Sequence, residues 1–169
     1  PAFCLPVDPI TYQTFIDEAR EAKPRKSLYG QLAAFTGIPS TILHKFSLDW
    51  VSHLESDRQE TIISVPSEYL PTDSEWVLTV PSQWTIPTTG RKSEITINKL
   101  LSYFDSFEEP RLFNCTASIS RVIAELVAGA NIRTSVTRRR LRGTMVTHLA
   151  ERNVKAWRIS HQAGDENTG

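Results

Sequence analysis

The sequence predicts a mainly helical domain carrying a small antiparallel β-sheet, an α+β fold. Helix start and stop signals, with apolar residues three and four apart, occupy both ends of the chain. Between them, residues 61–97 hold short runs of β-branched and aromatic residues broken by turn formers. The length, 169 residues, suits one domain spanning residues 1–169 with a sizeable core.

In chain order, Asp8-Pro9 reads as an N-cap followed by proline at the first helical position. Ile10, Phe15 and Ala19 supply apolar positions, and Pro24 is expected to stop this helix. A second helix is expected from Ser27 to Phe35, with Gly37 as its C′ residue. Pro39 suits the first turn of a third, whose apolar face is Ile42, Leu43 and Phe46. Residues 61–65, 76–80, 83–86 and 94–97 read as four strands, with Thr88-Thr89-Gly90-Arg91 as a turn. Asn98 can cap a helix running to Phe107, with Leu100, Leu101 and Phe104 apolar. Residues 118–128 form the next, with Ile119, Val122, Ile123 and Val127 on its apolar side, ended by Gly129-Ala130-Asn131. A last helix is expected from Val154 to Ala163, stopped by Gly164.

Before that last helix comes the most informative stretch. Four arginines, Arg138, Arg139, Arg140 and Arg142, fall within five residues and enter a helix beginning near Ser135 or Thr137. Leu141, Met145 and Leu149 recur at i, i+4 and i+8 and mark its buried face. Arg138, Arg139 and Arg142 are three and four apart and share a flank, while Arg140 points elsewhere. Like charges so placed repel unless an anion sits among them. On charge pattern alone the run reads first as a solvated basic face or a basic sorting run.

The charge distribution favours an anion-facing C-terminal half. The formal net charge is zero, yet residues 1–110 hold 9 Lys+Arg against 15 Asp+Glu, and residues 111–169 hold 10 against 4. Cys4 and Cys115 lie far apart and lack metal-ligand spacing, so they read as reduced thiols. No apolar run approaches membrane-spanning length, and the start is not a signal peptide. A chain beginning at Pro1 reads as a fragment or a processed product.

Several stretches carry a family resemblance. Arg139-Arg140-Leu141-Arg142-Gly143-Thr144, followed by Thr147-His148-Leu149, resembles the second motif of the tyrosine recombinases (phage integrases), His-x-Leu-Arg-His-Thr and then Ala-Thr-x-Leu. Phe35-Thr36-Gly37-Ile38-Pro39-Ser40 resembles their Thr-Gly-Leu-Arg-x-Ser, and Phe46 to Val51 their Leu-x-x-x-Asp-(Trp/Ile)-Val. Gly164-Asp165 falls on their Gly-His, and Pro87-Thr88-Thr89 on the Pro-Lys-Thr of their sheet hairpin.

The resemblance implies a phosphodiester attacked by a tyrosine, with two arginines, a lysine and two histidine-like groups stabilising the transition state. The corresponding places here are Pro39, Thr88, Arg139, Arg142 and Asp165, and Arg142 alone keeps the family's residue. Lys92, four residues beyond Thr88, reaches the same cleft if the turn differs. The nucleophilic tyrosine would fall near position 174, beyond this sequence. The implied partner is double-stranded DNA, gripped by Arg138, Arg139, Arg142 and Lys92. A homo-oligomer is compatible with this. No cofactor, metal, membrane or small-molecule substrate is expected, and the expected location is the cytoplasm, with DNA. Three readings stand open: a degenerate DNA-binding recombinase fold, a divergent active integrase, and a protein-interaction domain on the same fold.

Overall fold

The computed structural model describes residues 6–52, 60–71, 73–86, 88–106, 116–151 and 155; among these, the side chains of 116–119, 148 and 151 are not described. Six α-helices and four strands fall within these residues: α1 (Pro9–Glu21), α2 (Pro24–Phe35), α3 (Ser40–Leu43), β1 (Glu60–Val65), β2 (Trp76–Pro81), β3 (Gln83–Thr85), β4 (Lys92–Glu94), α4 (Ile97–Asp105), α5 (Thr116–Gly129) and α6 (Arg138–Glu151). The α+β class expected from the sequence is the one observed.

The α1 helix begins as its sequence dictates. The Asp8 carboxylate accepts from the Thr11 amide at 3.1 Å, and Pro9 fills the first turn, where no amide is needed. Tyr12, Phe15, Ile16 and Ala19 are buried. Ile10 was expected on this face but is 66% exposed. Five residues of helix turn it about 140° away from Phe15, onto the solvent side.

Packing centres on α2. Every residue from Ser27 to Phe35 is buried, and the helix packs against α1, α4, α5 and α6. Small residues allow this close approach: a Cβ built on Gly30 would lie 2.7 Å from Leu126 Cδ1 and 2.9 Å from Ala19 Cβ. As expected, α1 ends before Pro24, and Pro24 itself is the first residue of α2, three residues before the expected start at Ser27. The break lies at Ala22-Lys23, both in extended backbone. Gly37 holds the expected C′ place just past the Thr36 cap, but not in left-handed backbone, since Gly90 is the glycine with positive φ among the described residues. The helix closes on Thr36 in extended backbone, its amide bonded to Leu32 O.

The strands form two antiparallel two-stranded ladders, β1–β2 and β3–β4, rather than the one sheet expected. Ser82 alone separates β2 from β3. Along residues 76–84, Trp76, Leu78, Val80 and Trp84 face inward with period two. Ile63 pairs with Leu78 and Thr61 with Val80 across the first ladder, all four buried. The Trp84 ring meets Tyr12 and Phe35 edge-on, with centroids 5.3 and 6.1 Å away.

The fourth strand was expected over residues 94–97, but it ends at Glu94, and Ile97 opens α4. Gln31 explains the switch. Its buried amide accepts from the Thr96 amide at 2.8 Å and donates to the Thr96 hydroxyl at 2.7 Å, fixing Thr96 as the helix cap. Asn98, expected as that cap, is a buried residue within α4. The apolar side of α5 is set by Ile123 and Leu126, with Val122 and Val127 partly buried; Leu126 had not been expected there. The left-handed Asn131 follows the end of α5, where the break was expected. The expected helix at 154–163 lies outside the described residues.

No helix among the described residues is long and apolar enough to cross a membrane. No group of three or more His, Cys, Asp or Glu side chains gathers there to hold a metal.

Candidate nucleic-acid interface

The arginine helix α6 is anchored by its apolar stripe. Leu141 is fully buried and Met145 nearly so, while Leu149 is half-buried. The Thr137 hydroxyl caps its start by accepting from the Arg140 amide at 3.2 Å. The N-terminal segment ties onto the same helix, with the Val7 amide donating to the Thr144 hydroxyl at 2.9 Å.

The four arginines diverge. Arg138 turns inward, its Nε donating to Ile38 O at 2.7 Å and its Nη2 to Gly37 O at 2.6 Å. Arg140 leaves the flank as expected, donating to the carbonyls of Ser135 and Pro6. Arg142 is half-buried, and Arg139 is exposed. Burial pulls the Arg138 guanidinium down to about 10; nearby Tyr29 opposes this, and the charges of Arg142 and Arg139 add to it. No acidic residue stands in the first turn of α6.

The turn between α2 and α3 is therefore brought against the start of α6. Pro39 sits in this turn as the half-buried residue preceding α3. Below it, burial holds the Tyr29 phenol well above its ordinary range, moderated by a hydrogen bond to Ser40 and by the Arg138 charge. Sequence reasoning did not find Tyr29, Ser40 or the Gly37 and Ile38 carbonyls. The carbonyls lie 100 and 101 residues from Arg138, and no local spacing encodes that meeting.

The remaining candidates lie on the β3–β4 hairpin. Thr88 is exposed in its turn, which closes through Gly90 N to Ile86 O at 2.8 Å. Lys92 is exposed and donates to the Thr85 hydroxyl at 2.8 Å, across the strand pair. Asp165 lies outside the described residues.

No protein-family model matches the chain, and no curated protein does. Solved structures do match. The XerA recombinase superposes with a TM-score of 0.73 at 19% identity, over 99% of this chain and 57% of that one. The XerH site-specific recombinase bound to difH substrate, before cleavage, gives 0.73 at 12% identity over 98% of this chain and 48% of that one. Its post-cleavage complex with palindromic difH substrate gives 0.72 at 12% identity, over 96% and 47%. The fold is thus that of the tyrosine recombinases, and the chain spans about half the length of these structures.

Proposed function

We propose that this chain is a recombinase-fold domain that binds duplex DNA through its phosphates, has lost strand cleavage, and serves an accessory or regulatory role on DNA. The first turn of α6 is the observation that carries this reading. There Arg139 is exposed and Arg142, one turn on, is half-buried near the positive end of a helix dipole, with no acidic residue in the first turn to offset them. A phosphate there relieves the repulsion and accepts charge-assisted hydrogen bonds. Arg139 and Arg142 are the proposed phosphate ligands, with Lys92 on the hairpin as an outlying contact.

The loss of cleavage is argued from the residues at the family's positions. Attack on a phosphodiester needs donors on the non-bridging oxygens and an acid for the leaving oxygen. Pro39 has no side-chain donor, Thr88 carries no charge, and the carboxylate of Asp165 repels a phosphate. Removing one such donor typically costs about 10²–10³ in rate, so several losses together leave little catalysis.

The test is a titration of fluorescent duplex DNA over a range of salt, beside a suicide-substrate trap. Micromolar affinity at low salt is the order-of-magnitude expectation, falling steeply as salt rises because each neutralised phosphate releases counterions. Replacing both Arg139 and Arg142 with Ala should flatten the salt slope by about one unit per lost contact. If the parent shows no salt-dependent binding, the protein-interaction reading takes its place. A covalent adduct surviving a denaturing gel supports the active-integrase reading instead, which would draw on Lys92 in the hairpin.

A further inference from the structure

Resting on that reading, we infer that Arg138 is a positioning residue and not a DNA ligand: its guanidinium, bonded to the Gly37 and Ile38 carbonyls, fixes the start of α6 against the α2–α3 turn and so sets where Arg139 and Arg142 are presented.

Arg138 opens α6 and so stands at the positive end of that helix, the wrong end for a cation. Its side chain is also largely withdrawn from water, which is costly for a charge unless partners compensate. The compensation comes from another helix. The α2 helix ends at Phe35 with no basic residue in its last turn, so its negative end lacks a cation of its own. The Gly37 and Ile38 carbonyls lie just past that end. Arg138 supplies the missing cation from α6 while the two carbonyls satisfy its donors.

A planar guanidinium holds both carbonyls at once, with Nε and Nη2 as adjacent donors. This fixes both the distance and the rotation of the first turn of α6. Arg139 is the next residue, and Arg142 lies one turn on along the same flank. Both ride on the same helix, whose distance and rotation the clamp and the buried Leu141 set.

Amide hydrogen exchange on the free protein tests the clamp without DNA. Arg138→Met keeps the length and apolar stem of the side chain but removes the donors. Exchange should quicken at least about tenfold around residues 36–40 and in the first turn of α6, while the β1–β2 ladder keeps its parent rate. Parent-like exchange in those segments overturns the inference, whether or not the parent binds DNA. If Arg138→Met does not fold, Arg138→Lys takes its place. One ammonium cannot reproduce the planar fork, so a smaller local quickening is expected there, and parent-like exchange again overturns the inference.

A double-mutant cycle on DNA affinity supplies the readout that a general structural role would not move. If Arg138 acts through Arg139 and Arg142, the affinity loss caused by Arg138→Met should shrink to less than about twofold once both are Ala. An unchanged loss in that background, with the salt slope dropping by about one more unit, would make Arg138 a phosphate ligand and sink the inference. Failure of the parent to bind DNA removes the proposed function but leaves the exchange result to decide the clamp.

Discussion

The α2 helix and the first turn of α6 touch each other, yet the polar groups they carry differ in kind. In α2 the buried polar groups find partners within the protein: Gln31 engages Ser27 and Thr96, and the Thr36 hydroxyl donates to Leu32 O at 2.6 Å. The α6 turn stacks like charges and turns one of them, Arg138, inward. A segment with its polar groups satisfied is a scaffold. A segment with surplus charge of one sign is suited to meet something of the other sign.

The contrast breaks most visibly at the apolar anchor between the two regions. Leu141→Ala should destabilise the domain by about 2–5 kcal/mol in urea unfolding, because the side chain is fully buried and leaves a cavity. A loss below about 0.5 kcal/mol would mean that α6 is not anchored through this face. On the scaffold side, Gly30→Ala should cost about 1–3 kcal/mol by overpacking. The new methyl meets Ala19 Cβ at 2.9 Å, and Ala19 cannot rotate aside. An unchanged midpoint would show that α1, α2 and α5 can separate without penalty.

Asp8→Ala should cost about 1 kcal/mol, the usual worth of an N-cap. The hydrogen bonds from Thr11 hold the Asp8 carboxyl below its ordinary value. Because the folded value lies below the unfolded one, its contribution is present above about pH 4 and is lost as the pH falls through the folded value. Thermal midpoints of parent and Asp8→Ala should therefore converge on acidification; a constant gap would deny the carboxylate this role. The smallest effect sharpens the comparison. Arg139→Ala should shift stability by no more than about 0.5 kcal/mol, since the residue is exposed. A clearly stabilising shift would expose the repulsion directly, and a clearly destabilising one would place Arg139 in the scaffold.

What the sequence made legible was local. Asp8-Pro9 announces a helix start, and the 3.6-residue stripe of Leu141 and Met145 announces a buried face, because each signal is complete within two turns. Ile10 misled because it is apolar but off the stripe. Pro24 marked the end of α1 but hid the start of α2, because proline both ends one helix and begins the next. The strand expected at 94–97 followed β-branched Ile95 and Ile97, but a glutamine 65 residues earlier decides that Thr96 caps a helix. At the site, helical spacing brought Arg138, Arg139 and Arg142 together. It was silent on the direction Arg138 takes, which depends on carbonyls 100 residues away.

That separation has a consequence for synthesis. The α2 helix leaves the ribosome about 100 residues before the arginine that closes its end. At elongation rates of about 5–20 residues per second, the wait lasts on the order of 5–20 seconds. Helix α1 precedes α2 and can cover one side at once, but the sides facing α4, α5 and α6 stay open until those helices arrive in turn. The segment that organises the finished domain is therefore, for most of the domain's translation, the segment most in need of cover.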